Sequence, residues 1–225
     1  MAEVKKFVTP KGLLEWVTIT GEGKENMSGK MQYTANVVLD PKVIPEHAEF
    51  IKSIDAFWEE NKPKGFKGDP KSLGYYLHDV ILDAEGKPDL DEKGKKQFNP
   101  DGKVYLAIKT GTEYADGKAK VIKTFNSKAK RVELGEVRIG NGSIGEVSGA
   151  MGIYTNTDKK TKKVLDAGVT LYLDAIKISK LVKYEGPDSG FGADEDADNE
   201  ESFSGVEDEF NSTDSAEAGT AQPRL

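Results

Sequence analysis

Apolar and polar residues alternate along much of the first 184 residues, the signature of half-buried strands. In MQYTANVVLD, Met31, Tyr33, Ala35, Val37 and Leu39 fall on one face, with Gln32, Thr34 and Asn36 on the other. KVYLAIKTG sets Val104, Leu106 and Ile108 against Lys103, Tyr105, Ala107 and Lys109, and GVTLYLDA sets Val169, Leu171 and Leu173 against Thr170, Tyr172 and Asp174. LLEWVTIT predicts an earlier long strand, and Asp116-Gly117 a hairpin turn leading into KAKVIKTF. The period changes once. After Pro45, Phe50, Ile51, Ile54, Phe57 and Trp58 form one helical stripe, ended by Asn61 and Pro63, so its aromatics are read as core. Asp83 to Gly102, rich in Lys, Asp and Gly, predicts a long loop. Five or six strands, one helix and long polar loops point to a mainly β fold, a small barrel or sandwich. A helix between early strands, with large loops, fits a single OB-fold-like barrel.

Charge divides the chain near Tyr184. Glu185 to Leu225 holds thirteen acidic residues and one basic residue, Arg224, for a net charge of −12. Residues 1–184 hold 31 basic and 26 acidic residues, for a net charge of +5. The acidic stretch has too few large aliphatic residues to offset its ordering entropy, which predicts a disordered tail over 185–225 beside a folded domain over 1–184. The whole-chain isoelectric point of about 5.1 hides a mildly basic body.

Several chemistries lack their residues. The chain has no cysteine, which excludes disulfides and thiolate metal sites. His47 and His78 have no metal-ligand or triad partners at a useful spacing, and no cofactor is implied. DLDEKG, from Asp89, opens like a calcium loop but puts Lys93 at the fifth ligand position and Pro100 at the twelfth. GNGSIG, from Gly140 to Gly145, matches a dinucleotide-binding pattern, but strand-like EVSGAMGIYTN follows it instead of a helix. Asn141-Gly142 therefore reads as a turn. The absence of an apolar leader or a membrane-length run predicts a soluble, cytoplasmic protein (host-cell cytoplasm if viral) with no membrane partner. No feature supports an enzyme.

Binding chemistry is better represented. KPKGFKGDPK places Lys64 and Lys67 around Phe66 in a loop; Tyr105 lies between Lys103 and Lys109 on a strand's outer face; Tyr172 is also outward, and Phe125 precedes Lys128, Lys130 and Arg131. Aromatics stack bases while lysines meet phosphates, the combination that single-stranded nucleic acid requires. For each aromatic the alternative is a ring covered by a neighbouring loop.

MQYTANVVLD with its helix, NPDGKVYLAIKT, VRIGNGSIGEVSGAMGIY and GVTLYLDAIKISKLVKYEG together resemble the single-stranded-DNA-binding proteins of tailed bacteriophages. The resemblance implies an OB-fold with a packed helix, sequence-independent coating of single-stranded DNA in replication or recombination, and a second copy of the chain as a candidate partner. It also implies an acidic tail that competes with DNA for the basic groove and recruits replication proteins such as a polymerase. Phe203 and Phe210, with Glu207, Asp208 and Glu209, are the residues here suited to mimic nucleic acid. The chain ends AQPRL, where that family often ends in an aromatic, so no contact by the final residue is carried over. The competing reading is a protein–protein or virion/chaperone-like module with an acidic partner-binding tail.

Overall fold

The computed structural model describes residues 4–81, 87–99, 101–114, 116–135 and 137–184. The chain divides into two units, Met1–Glu185 and Gly186–Leu225. The expectations on Phe203, Glu207, Asp208, Glu209 and Phe210 lie outside the described residues, as does part of the loop expected from Asp83.

The elements run β1 (Lys5–Val8), β2 (Gly12–Thr18), β3 (Lys24–Glu25), β4 (Met31–Leu39), α1 (Pro45–Asn61), β5 (Tyr75–Leu77), β6 (Val104–Gly111), β7 (Lys123–Phe125), β8 (Arg131–Val132), β9 (Ser143–Thr157) and β10 (Val164–Lys180). Five of them close a ring. β2 pairs antiparallel with β4 and β4 with β6; β6 runs parallel to β10; β10 returns antiparallel along β9, and β9 pairs with β2. In chain order the ring is first, second, third, fifth, fourth, with the third and fifth strands parallel, which is the OB-fold connectivity. Closing the ring removes the open sheet edges that would otherwise invite pairing with other chains.

The alternation read from the sequence sorts side chains as expected. Val37, Leu39, Leu106, Ile108, Leu171 and Leu173 fill the barrel and are fully buried. Pro45 occupies the first helical turn of α1, which buries Ile54, Phe57 and Trp58. β9 must bend to serve β2, β1 and β10 in turn, and it does so at glycines. At Gly149 an added Cβ would lie only 1.8 Å from the Tyr172 carbonyl oxygen, so the two strand backbones approach there as no other residue would permit.

Two expectations are refined. The turn at Asp116-Gly117 forms, with Gly117 at φ 79° and a Glu113–Ala119 bridge, but the strand beyond it does not return along β6. β7 instead lies parallel to β10 and carries the short hairpin to β8. The Lys/Asp/Gly-rich loop before β6 forms only isolated bridges where described, Val80 to Phe98 and Leu90 to Lys96.

Candidate functional site

The outer face of β4, β5 and β6 gathers most of the strand-borne candidates. Because Val104, Leu106 and Ile108 point into the barrel, Tyr105 and Lys109 must point out. Register puts Tyr105 opposite Tyr76 on β5 and opposite Val38 on β4, and puts Lys109 opposite Thr34. The Tyr105 and Tyr76 rings stack with centroids 5.4 Å apart and planes at 27°, and His78 meets Tyr105 edge-on at 6.3 Å. Tyr76 is 44% exposed, so the stacked pair presents an aromatic surface to solvent.

Charge is compensated at one end of this face and open at the other. Lys103 Nζ is 3.0 Å from Asp101 Oδ2, which raises the ammonium's pKa and commits the cation. His78 Nε2 is 3.0 Å from Glu15 Oε2, and its Nδ1 is 2.7 Å from Asp79 Oδ1. Burial disfavours the charged imidazole, but the two carboxylates outweigh that and raise its pKa above the ordinary value of 6.5. Lys109 is exposed, and among the described residues no carboxylate pairs with it.

The parallel register of Leu171 with Ile108 brings Tyr172 and Lys109, each one position on, out of the barrel at the same level. Tyr172 is 42% exposed, and its ring leans over Gly152, where an added Cβ would come within 2.9 Å of Cε2. Phe125 belongs to a neighbouring patch. Pairing across four strands sets Glu146, Lys177, Phe125 and Arg131 in one row, with Lys177 ion-paired to Glu146. Phe125 is half-buried between two cationic side chains, with Lys128 and Lys130 exposed in the turn beyond it.

Phe66 does not join these faces. It packs against the hydrophobic core, its ring edge-on to Trp58 at 6.0 Å, while Lys64 and Lys67 stay exposed in the loop after α1. The covered-ring alternative describes Phe66 better than a free stacking platform.

The exposed aromatics Trp16, Tyr76, Tyr114 and Tyr184 are not among the sequence candidates, and Trp16 is the most exposed of them. Along LLEWVTIT, strict alternation would send Trp16 inward with Leu14. Instead Glu15 pairs with Asn36 and Thr18 with Thr34, so β2 carries one residue more than β4 across that interval. This bulge gives the inward position to Val17, which packs on the core, and turns Trp16 out to 66% exposure. The available signal was the apolar spacing Leu14, Val17, Ile19, a step of three and then two. Tyr76, on the short strand β5, carried no alternation signal at all.

The first half of GNGSIG, Gly140 to Gly142, forms a turn, with Gly142 at φ 87°, and β9 begins at Ser143 within the motif. Among the described residues no group of three or more His, Asp or Glu side chains is placed to hold a metal ion, and no helix is long and apolar enough to cross a membrane.

No family model matches the chain, and no curated protein matches it in sequence. Among solved structures, it is similar to gp2.5, a single-stranded DNA binding protein encoded by bacteriophage T7, with a TM-score of 0.53 and 19% identity over 89% of this chain and 97% of that one. The single-stranded DNA-binding protein of bacteriophage Enc34 aligns more loosely. Its C-terminal truncation gives a TM-score of 0.45 at 14% identity, covering 78% of this chain and 85% of that one. Its complex with single-stranded DNA gives 0.46 at 13%, covering 80% and 89%. At this identity the T7 likeness is one of fold.

Proposed function

We propose that this chain is a sequence-independent, non-enzymatic single-stranded-DNA-binding protein of the phage type, acting in replication or recombination. The observation that carries the reading is the outer face of β4–β6, which carries the exposed Tyr76–Tyr105 stack and, four residues along β6, Lys109, an exposed lysine with no carboxylate partner among the described residues. Rings offer every base the same π-surface, worth about 1–3 kcal/mol per base stacked, and cations meet the phosphates that every sequence shares. Such a face binds without reading sequence. The OB-type ring and its likeness to the T7 protein support the same reading.

In this reading Tyr105, Tyr76 and Tyr172 stack bases, and Lys109 is the principal phosphate contact on β6. Exposed Arg131 beside half-buried Phe125 offers the strand a second stretch, while Lys64 and Lys67 supply long-range attraction without a ring. The segment from Glu185, with net charge −12, is a tethered polyanion competing for the +5 body, and a surface by which replication proteins such as a polymerase are recruited.

The test compares full-length protein with a form ending at Tyr184 for binding of a labelled oligothymidylate at low salt. Both forms should bind, the truncated one more tightly. Equal affinities would overturn the competing role of the tail alone. Failure of both forms to bind would overturn the DNA-binding reading and favour a protein–protein module.

A further inference from the structure

Trp16 holds a backbone conformation that is rare for its residue type. Its φ is 51°, in the left-handed region, where the side chain of an L-residue crowds its own backbone. Of the four non-glycine residues with positive φ among the described residues, Asp79, Ala129 and Lys162 lie in loops, and Trp16 lies within a strand. The strain is held by specific bonds. Its backbone N–H donates to Asn141 Oδ1 at 2.9 Å, and its carbonyl accepts from Thr34 Oγ1 at 3.2 Å. Strain retained to expose the largest side chain in the protein points to use of that side chain.

Trp16 lines a cleft of about 770 Å³ at the end of the barrel, and Tyr184, 48% exposed, lines it too. A single turn anchors the backbone beneath both rings. Asn141 holds Trp16, while Gly140 N–H donates to the Val182 carbonyl and Ser143 Oγ accepts from Val182 N–H, which ties down the segment ending in Tyr184. Tyr184 N–H itself donates to the Arg138 carbonyl at 3.0 Å. Gln32, Thr34 and Asn36, on the outer face of β4, form the cleft floor; Thr34 lies opposite Lys109 and Asn36 opposite Ala107. The cleft therefore continues the Tyr105–Lys109 face. Its ionised lining is balanced, Lys24 and Arg138 against Glu22 and Glu25, so it is suited to a base more than to a phosphate.

We propose that Trp16 is a base-stacking platform in a cleft that receives a nucleobase at the end of the strand path over β4–β6. This rests on the DNA-binding reading above and assigns it a site made by the β2 bulge and the Asn141-Gly142 turn. Stacking is sequence-tolerant and not ionic. Loss of the ring should therefore lower affinity by about 5- to 150-fold at every salt concentration, without changing the salt slope.

The chain has two tryptophans, and Trp58 is buried, 3% exposed, so a change in tryptophan emission on binding reports chiefly on Trp16. Full-length protein is titrated with oligothymidylate, reading the anisotropy of a label on the oligonucleotide and, separately, tryptophan emission. The emission should quench with the same midpoint as anisotropy, persist in Trp58→Phe, and vanish in Trp16→Phe. Trp16→Gly, whose backbone accepts the left-handed conformation, should fold with an unaltered far-ultraviolet spectrum and bind more weakly at an unchanged salt slope. Binding by anisotropy without quenching, with Trp16→Gly as tight as wild type, would overturn the platform and leave the DNA-binding reading intact. A reduced slope in Trp16→Gly would also overturn it, by making the cleft a phosphate site. No binding at all would overturn both.

Discussion

Lys109 lies on β6 and Lys103 immediately precedes that strand, yet the structure gives them opposite electrostatic roles. Lys103 is tied to Asp101 at 3.0 Å, so the two together carry no net charge, whereas Lys109 is exposed without a carboxylate partner among the described residues. In the proposed interface, replacing Lys109 by Gln removes one phosphate contact. For single strands each contact contributes about 0.7 to the slope of log K against log salt. With the non-ionic part of binding unchanged, Lys109→Gln should lower the magnitude of that slope by about 0.7 and weaken binding about fivefold at 0.1 M salt. The double variant Lys103→Gln/Asp101→Asn removes a neutral pair and should leave the slope within error of wild type. Anisotropy titrations of full-length variants with one labelled oligonucleotide at four or five salt concentrations give both slopes. An unchanged slope in Lys109→Gln, with a loss in the double variant, would refute the assignment of the phosphate contact from ion-pair geometry.

Three other outcomes are expected. Tyr105→Ala should weaken oligonucleotide binding, by about 1–3 kcal/mol if one base stacks there, with Tyr105→Phe retaining most of the affinity; equal losses in both would assign the effect to the hydroxyl. Gly149→Ala drives a Cβ toward the Tyr172 carbonyl where β9 and β10 cross, so it should destabilise the fold by at least about 1–3 kcal/mol in urea unfolding, and a neutral result would contradict the packing described. His78 has its folded pKa raised, so the stability it draws from Glu15 and Asp79 is fully present below pH 6.5 and is lost as pH rises through the raised value. The stability difference between wild type and His78→Gln should therefore shrink with rising pH across that window, and a difference that grows instead would reverse the sign of the linkage.

Much of the barrel could be read from period alone. Met31–Val37 on β4, Val104–Thr110 on β6 and Val169–Leu173 on β10 alternate, and each buried the face that its apolar residues marked, Met31 at the open end apart; β10 shifts register directly after, between Leu173 and Ala175. The stripe of α1 and its opening Pro45 were equally plain. Tyr105, Lys109 and Tyr172 followed from these faces, because a strand side chain that is not in the barrel must be outside it. What could not be read depends on contacts between distant segments. β7 was expected to continue a hairpin, but its partner is β10, about fifty residues later. Lys103 looked as available as Lys109 until Asp101 was seen to pair with it. Phe66 sat among lysines in sequence but found Trp58 in space. Trp16 was hidden by one inserted residue, which reversed the faces of β2 beyond Glu15. The turn that holds it, Asn141-Gly142, was recognised as a turn; its partner across 125 residues was not legible.

The central claim is that the outer face of β4–β6 takes single-stranded DNA by stacking and phosphate contact. The most direct measurement is an equilibrium titration of full-length protein with a labelled single strand and with a duplex of the same length and sequence at low salt. Stacking on Tyr105, Tyr76 and Trp16 requires bases free of their partners, so the single strand should bind more tightly and the duplex should compete poorly. No binding to the single strand, or binding to the duplex of equal or greater strength, would contradict the account.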